Sequence, residues 1–270
     1  MVASLLTLVV PTLFSVAREH WSTEDGAHGP IILATALWLF WRSRDWLTGN
    51  AQPVEGSLWW VALVPLLFLY AFARAYGILF VETGTLYLII VLLAWVHWGS
   101  AAVRHLWFPL FYLGFLIVPP GSLVTEATQP LKIWISAAAA DFLYALGYPV
   151  AQLGAIIHID QYQLLVEQAC AGLGSLLTLS ALGLLYIHLR GRTGAWHSGA
   201  LMAAIIPIAI FANFVRVVAL VLLTYHVGNE FAQGFAHEAA GMFMFLVSML
   251  CMFAADAAIR TVAGGGRSRT

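Results

Sequence analysis

Charge is what this sequence lacks. Asp, Glu, Lys and Arg together make up 9% of its 270 residues, against roughly 25% in soluble domains. Hydrophobic residues reach 61% and the mean hydropathy is +0.87, so the chain is a polytopic membrane protein. Its formal net charge of −1 says nothing about nucleic acid, but there is no basic patch to bind it and none is expected as a partner. Cysteine is nearly absent. Cys170 and Cys251 are too few for a disulfide framework, and Cys251, inside the apolar run Met249–Phe253, reads as packing. There is no internal repeat, and low complexity is confined to Gly264–Gly266. Met1–Ala17 has no positive n-region and reads as a first span rather than a cleaved signal.

What is there is a series of apolar runs. The expected fold is all-α with about eight transmembrane helices: Val2–Ala17, His28–Trp41, Leu58–Ala73, Gly77–Trp98, Leu106–Val118, Leu173–Leu189, Gly199–Tyr225 and Ala239–Ile259. Asp45–Ser57 reads as a polar loop, and Glu82 falls at the outer boundary of the fourth span. Thr125–Leu146 has helical composition interrupted by Lys132 and Asp141, which predicts an amphipathic helix at the outer interface; crossing by 131–146 is the main alternative. Ala155–Ile159 and Tyr162–Val166 flank Asp160-Gln161 as a short hairpin leading into Glu167. The chain reads as one integral membrane domain, 1–270. Within it lie a five-span half (1–120), an extracytoplasmic segment (121–169), a three-span half (170–260) and a cytoplasmic tail (261–270).

Charge orients the spans. Arg42, Arg44, Arg104, Arg190, Arg192, Arg260, Arg267 and Arg269 are eight of the twelve basic residues and fall on one side under this topology. The positive-inside rule then places both termini in the cytoplasm. Three polar patches interrupt the last three spans on the opposite, extracytoplasmic side: Glu167 to Gly172 with Cys170, Asn213 to Arg216, and His237 to Gly241.

Each patch holds a reactive group that also has a plainer explanation. Cys170, beside Gly172 and Gly174, is either a thiolate nucleophile at a helix N-terminus or a small buried hydrophobe. Arg216 interrupts an apolar span, where a cation costs roughly 2.5–3.5 kcal/mol. It shares a helix face with Asn213 and is either an oxyanion donor or carboxylate clamp, or a counter-ion to Glu82, Glu167 or Glu238. His237 is either the base for the thiol or an interfacial histidine, with His226 as the competing base. Glu238 beside His237 suggests a zinc protease, but Gly241 stands where the second His is required, so neither metal nor cofactor is expected.

The patterns Glu167-x-x-Cys170-x-Gly172, Pro207 followed by Asn213-x-x-Arg216, and His237-x-x-x-Gly241, with His28-Gly29-Pro30 earlier, resemble the exosortase/archaeosortase family. The resemblance is dense over 147–253 and mostly hydropathic before that. It implies a cysteine transpeptidase or protease of the inner (plasma) membrane. Such an enzyme cuts the C-terminal sorting tail (short motif, apolar helix, basic cluster) of exported proteins at the outer face. The partners implied are those substrates, an acceptor nucleophile and membrane lipid. By the same resemblance Cys170, Arg216 and His237 are catalytic, with Glu167, Gly172, Asn213, Glu238 and Gly241 supporting. Ala171 and Gly174 depart from the Ser and Arg common in the family. The competing reading is a non-catalytic membrane transport or assembly component with Arg216 as a structural counter-ion.

Overall fold

A computed structural model describes residues 2–23, 26, 29–165, 172–191, 195–228 and 235–265, of which 2–4, 165, 172–176, 178, 195, 235–242, 244–245 and 262–265 by their backbone alone. The chain forms two compact units, Met1–Gly121 and Ser122–Thr270.

The first unit contains α1 (Val2–Glu19), α2 (Gly29–Arg42), α3 (Arg44–Asn50), α4 (Trp60–Ala75), α5 (Leu79–His105) and α6 (Trp107–Leu113), closed by a 3₁₀ turn at Gly114–Leu116. α4 packs along α5 through Leu63, Tyr70, Leu86 and Ile89. Glu82, in the first turn of α5, is 3% exposed, which demands compensation for its charge. Arg74 Nη1 donates to its Oε1 at 2.7 Å and Thr12 Oγ1 at 2.7 Å, while Tyr70 OH lies 2.8 Å from Thr12 Oγ1. One carboxylate thus ties α1, α4 and α5 together.

Two features of this unit differ from the sequence expectation. The segment expected as a polar loop from Asp45 contains α3, whose Leu47 is buried with Ala102, Leu106 and Leu110. The rest of that segment runs extended beside a break in α5. At Gly99 the backbone leaves the helix (φ 84°, ψ 177°), and the carbonyls of Val96 and Trp98 accept from the N–H groups of Val54 and Gln52 at 3.0 and 3.2 Å. A side chain at Gly99 would strike the Gln52 carbonyl, so glycine serves both the conformation and the approach.

The second unit contains α7 (Gly121–Ala145), the strands β1 (Val150–Leu153), β2 (Ile156–Ile159) and β3 (Tyr162–Leu165), then α8 (Gly172–Leu189), α9 (Ala195–Val227) and α10 (Phe235–Gly265). The expected hairpin is present in register, with Ile159 opposite Tyr162 across Asp160-Gln161. It is one half of a three-stranded antiparallel meander, because β1 pairs with β2 across Gly154. The sheet's inner face (Ile157, Ile159, Leu164) is buried against Ile135, Ala139 and Leu143 of α7 and Val217 and Val221 of α9. α7 buries one stripe, as an amphipathic helix must, but the stripe includes Thr128, Lys132 and Ser136. Lys132 is 6% exposed, whereas Asp141 stands exposed.

Among the described residues, α5 and the Trp196–Val227 stretch of α9 are long and apolar enough to cross a membrane. Trp107–Leu116 with Gly121–Ala145 makes a third candidate if counted as one broken span. α2 and α4 are apolar but 14 and 16 residues long, about 21–24 Å at 1.5 Å per residue against a core of roughly 30 Å.

α8 and α9 approach closely where Gly183 faces Ile205. A Cβ on Gly183 would lie 2.9 Å from both Cγ1 and Cδ1 of Ile205. Gly183→Val is therefore expected to wedge the pair apart and cost about 1–3 kcal/mol. Ile205→Val in the same chain should recover part of that loss, as coupled neighbours do. Chemical or thermal unfolding of the solubilised protein reads both effects; additive losses would show that the two side chains do not meet.

Candidate active site

The three patches fall on three helices whose register can be read from their packing. Leu179 of α8 packs with Ala209 and Ala212 of α9 and with Val247 of α10. Farther on, Leu184 and Ile187 of α8 meet Leu201 and Ile205 of α9 and Met252 of α10. The helices therefore alternate in direction. Taking Leu179–Ala212–Val247 as one level and a rise of 1.5 Å per residue, Gly172 lies about 10 Å beyond it, Arg216 about 6 Å, Gly241 about 9 Å and His237 about 15 Å, all toward the same end. The backbone brings the head of α8, the Asn213–Arg216 turn and the head of α10 together there.

Within that end, α9 supplies the described side chains. Asn213 is 4% exposed and Arg216 2% exposed, on one face three residues apart. Arg216 is engaged within the fold. The Oδ1 of Asn213 has no hydrogen-bond partner among the described residues, a costly state for a buried acceptor that a donor from a bound molecule would relieve. The next residue, Val217, is fully buried beneath β3, whose Leu164 packs in the same cluster. The strand that leads in sequence toward Glu167 and Cys170 thus packs in the cluster that holds the residue following Arg216.

Gly172 opens α8, and His237, Glu238 and Gly241 occupy the first two turns of α10, which describes their backbone only. Glu167, Cys170 and His28 lie outside the described residues. Of the competing groups, His226 faces Tyr148, its Nε2 3.2 Å from the phenol, ten residues and about 15 Å along α9 from Arg216. Glu82, considered as a counter-ion for Arg216, is paired with Arg74. No group of three or more His, Cys, Asp or Glu side chains is arranged to hold a metal among the described residues.

The other end of the same three helices carries a cluster that the sequence reading missed. Asp256 of α10 is 1% exposed. It is paired with Arg190, just past the end of α8, and, one turn on, with Arg260; His197 Nε2 of α9 lies 2.7 Å from its Oδ1, and Tyr186 OH donates to its Oδ2 at 2.8 Å. The available signal was an acid inside an apolar run, with Arg260 four residues on and Arg190 and His197 at the neighbouring helix ends. His197 is 19 residues from Arg216, roughly 28 Å along α9, so this is a separate structure that clasps the helix ends. Asp256→Asn leaves the partly exposed Arg190 and the exposed Arg260 without their counter-charge and is expected to cost about 1–3 kcal/mol. Unfolding of the purified protein in detergent checks it; an unchanged midpoint would show that the clasp is dispensable.

Residues 20–254 match the family model of the transmembrane exosortases (Exosortase_EpsH). Neither a curated protein nor a solved structure matches the chain.

Proposed function

Because this chain belongs to the transmembrane exosortase family, we propose that it is a membrane cysteine transpeptidase or protease acting on the C-terminal sorting tails of exported proteins. The observation that carries the reading is the family match across most of the chain, joined to the buried Asn213–Arg216 turn at the end shared by the heads of α8 and α10.

In this reading the Cys170 thiolate attacks the scissile carbonyl carbon after His237 takes the thiol proton. Arg216 donates to the oxyanion of the tetrahedral intermediate. As the C–N bond breaks, His237 returns its proton to the leaving amine and a thioester remains on Cys170. Water or an amine acceptor then attacks the thioester and releases the thiol. Glu167, Gly172, Asn213, Glu238 and Gly241 shape the site. Eight crossings of the inner membrane, both termini in the cytoplasm and an extracytoplasmic site belong to the same proposal, with membrane lipid as the surrounding partner.

A secreted reporter ending in a sorting tail (short motif, apolar helix, Arg cluster) from an exported protein of the same organism tests it. Co-expression with the chain should shorten the reporter, and a hydroxylamine-sensitive adduct should form on the enzyme. A reporter left intact beside well-expressed, thiol-labelled protein would overturn the reading.

A further inference from the structure

We infer that the outer edge of β3 is the seat of the substrate, where an extended segment of the exported polypeptide next to the scissile bond pairs as an added strand. This deepens the proposed transpeptidase function and rests on it. The two-residue loop at Asp160-Gln161 makes Ile159 and Tyr162 the pair that exchanges both ladder hydrogen bonds. Alternation then gives Ile157 and Leu164 the next bonded pair and turns the N–H and C=O of Gln163 and Leu165 to the outer side of β3. Among the described residues nothing bonds to these groups, and Gln163 is exposed. The other edge is different. On β1 the Val150 N–H is taken by the Tyr148 carbonyl at 2.9 Å, and the Gln152 side chain turns onto the Gly154 carbonyl.

An open edge is a template for pairing with an extended peptide. Position decides which peptide. β3 packs against α9, with Leu164 in the same buried cluster as Val217, next to Arg216, and β3 runs in sequence straight into the Glu167–Cys170 patch. A strand laid on this edge therefore passes the turn of α9 that holds Arg216. The buried Oδ1 of Asn213 is a second, independent sign of a bound partner, because it lacks a donor among the described residues and a peptide N–H is one. An extended chain satisfies both demands, offering alternate amides to β3 and the intervening ones to its other side.

The tail reporter, co-expressed with the full-length chain, is the probe. Gln163→Pro removes one outward N–H while leaving the β2–β3 ladder its donors, since proline is tolerated at solvent-facing positions of an edge strand. Processing should fall about tenfold or more below that of Gln163→Ala, which keeps the outward N–H, with Cys170 still labelled by a thiol probe. On the substrate, proline placed in turn at each of the residues flanking the cut should give losses that alternate with period two. Equal processing by Gln163→Pro and Gln163→Ala, with a substrate scan lacking that alternation, would overturn the inference. If Gln163→Pro loses its thiol labelling as well, it has misfolded and the substrate scan on the unaltered chain decides. No cutting by the unaltered chain sinks the transpeptidase reading itself, and cutting without alternation sinks only this one.

Discussion

Cys170→Ala is expected to abolish processing of the tail reporter while leaving expression and membrane insertion intact. The thiolate is the atom that forms the new bond in the proposed reaction, and no other described group can replace it. Cys251 is half-buried within α10 and serves as the internal control. It sits one residue from Met252, in the part of the bundle that packs against Leu201 and Ile205, on the clasp side of the Leu179–Ala212–Val247 level. Cys251→Ala should be nearly silent. The hydroxylamine-sensitive adduct should disappear with Cys170→Ala and persist with Cys251→Ala. Full processing by the Cys170→Ala protein would remove the thiol from the mechanism and return the chain to the non-catalytic alternative.

The two helices long and apolar enough to cross a membrane, α5 and α9, were legible because a bilayer imposes long apolar runs. α9 was expected at Gly199–Tyr225 and is found at Ala195–Val227. The β2–β3 hairpin was legible for a different reason. Asp160-Gln161 separates two short apolar strands, and Asp160 adopts a φ of 51°, which aspartate tolerates better than most residues. β1 escaped because its four residues stand between Pro149 and Gly154, and both read as punctuation. α3 escaped because a single buried residue, Leu47, holds it, too little to make a period. For the site, Asn213 and Arg216 could be placed on one face from spacing alone. Their near-complete burial could not, because it depends on α8, on β3 and on a register fixed by Leu179, Ala212 and Val247. The Asp256 clasp was hidden for the same reason: Tyr186 and His197 lie 70 and 59 residues away in sequence. An acid near a helix end reads as solvated until its partners are known.

Arg216→Lys is expected to fold and to process poorly, falling about 10²–10³-fold, the usual loss when one oxyanion donor is removed. Arg216 is 2% exposed, so a donor fixed there acts where water does not screen it. Its planar fork can hold two parallel hydrogen bonds to a developing oxyanion, and a lysine ammonium keeps the charge but loses that geometry. A counter-ion role makes the opposite forecast. There the charge itself is what matters, so Arg216→Lys would be near normal, while Arg216→Ala would strand a buried carboxylate, cost on the order of 3–5 kcal/mol and deplete the protein from the membrane. The oxyanion role instead allows a folded Arg216→Ala protein that still binds the tail reporter and still labels at Cys170, yet no longer turns over. Comparing reporter cleavage, reporter co-purification and thiol labelling across the three proteins separates the two roles. Near-unaltered cleavage by Arg216→Lys, together with loss of the Arg216→Ala protein, would assign Arg216 to holding the helices together rather than to the chemistry.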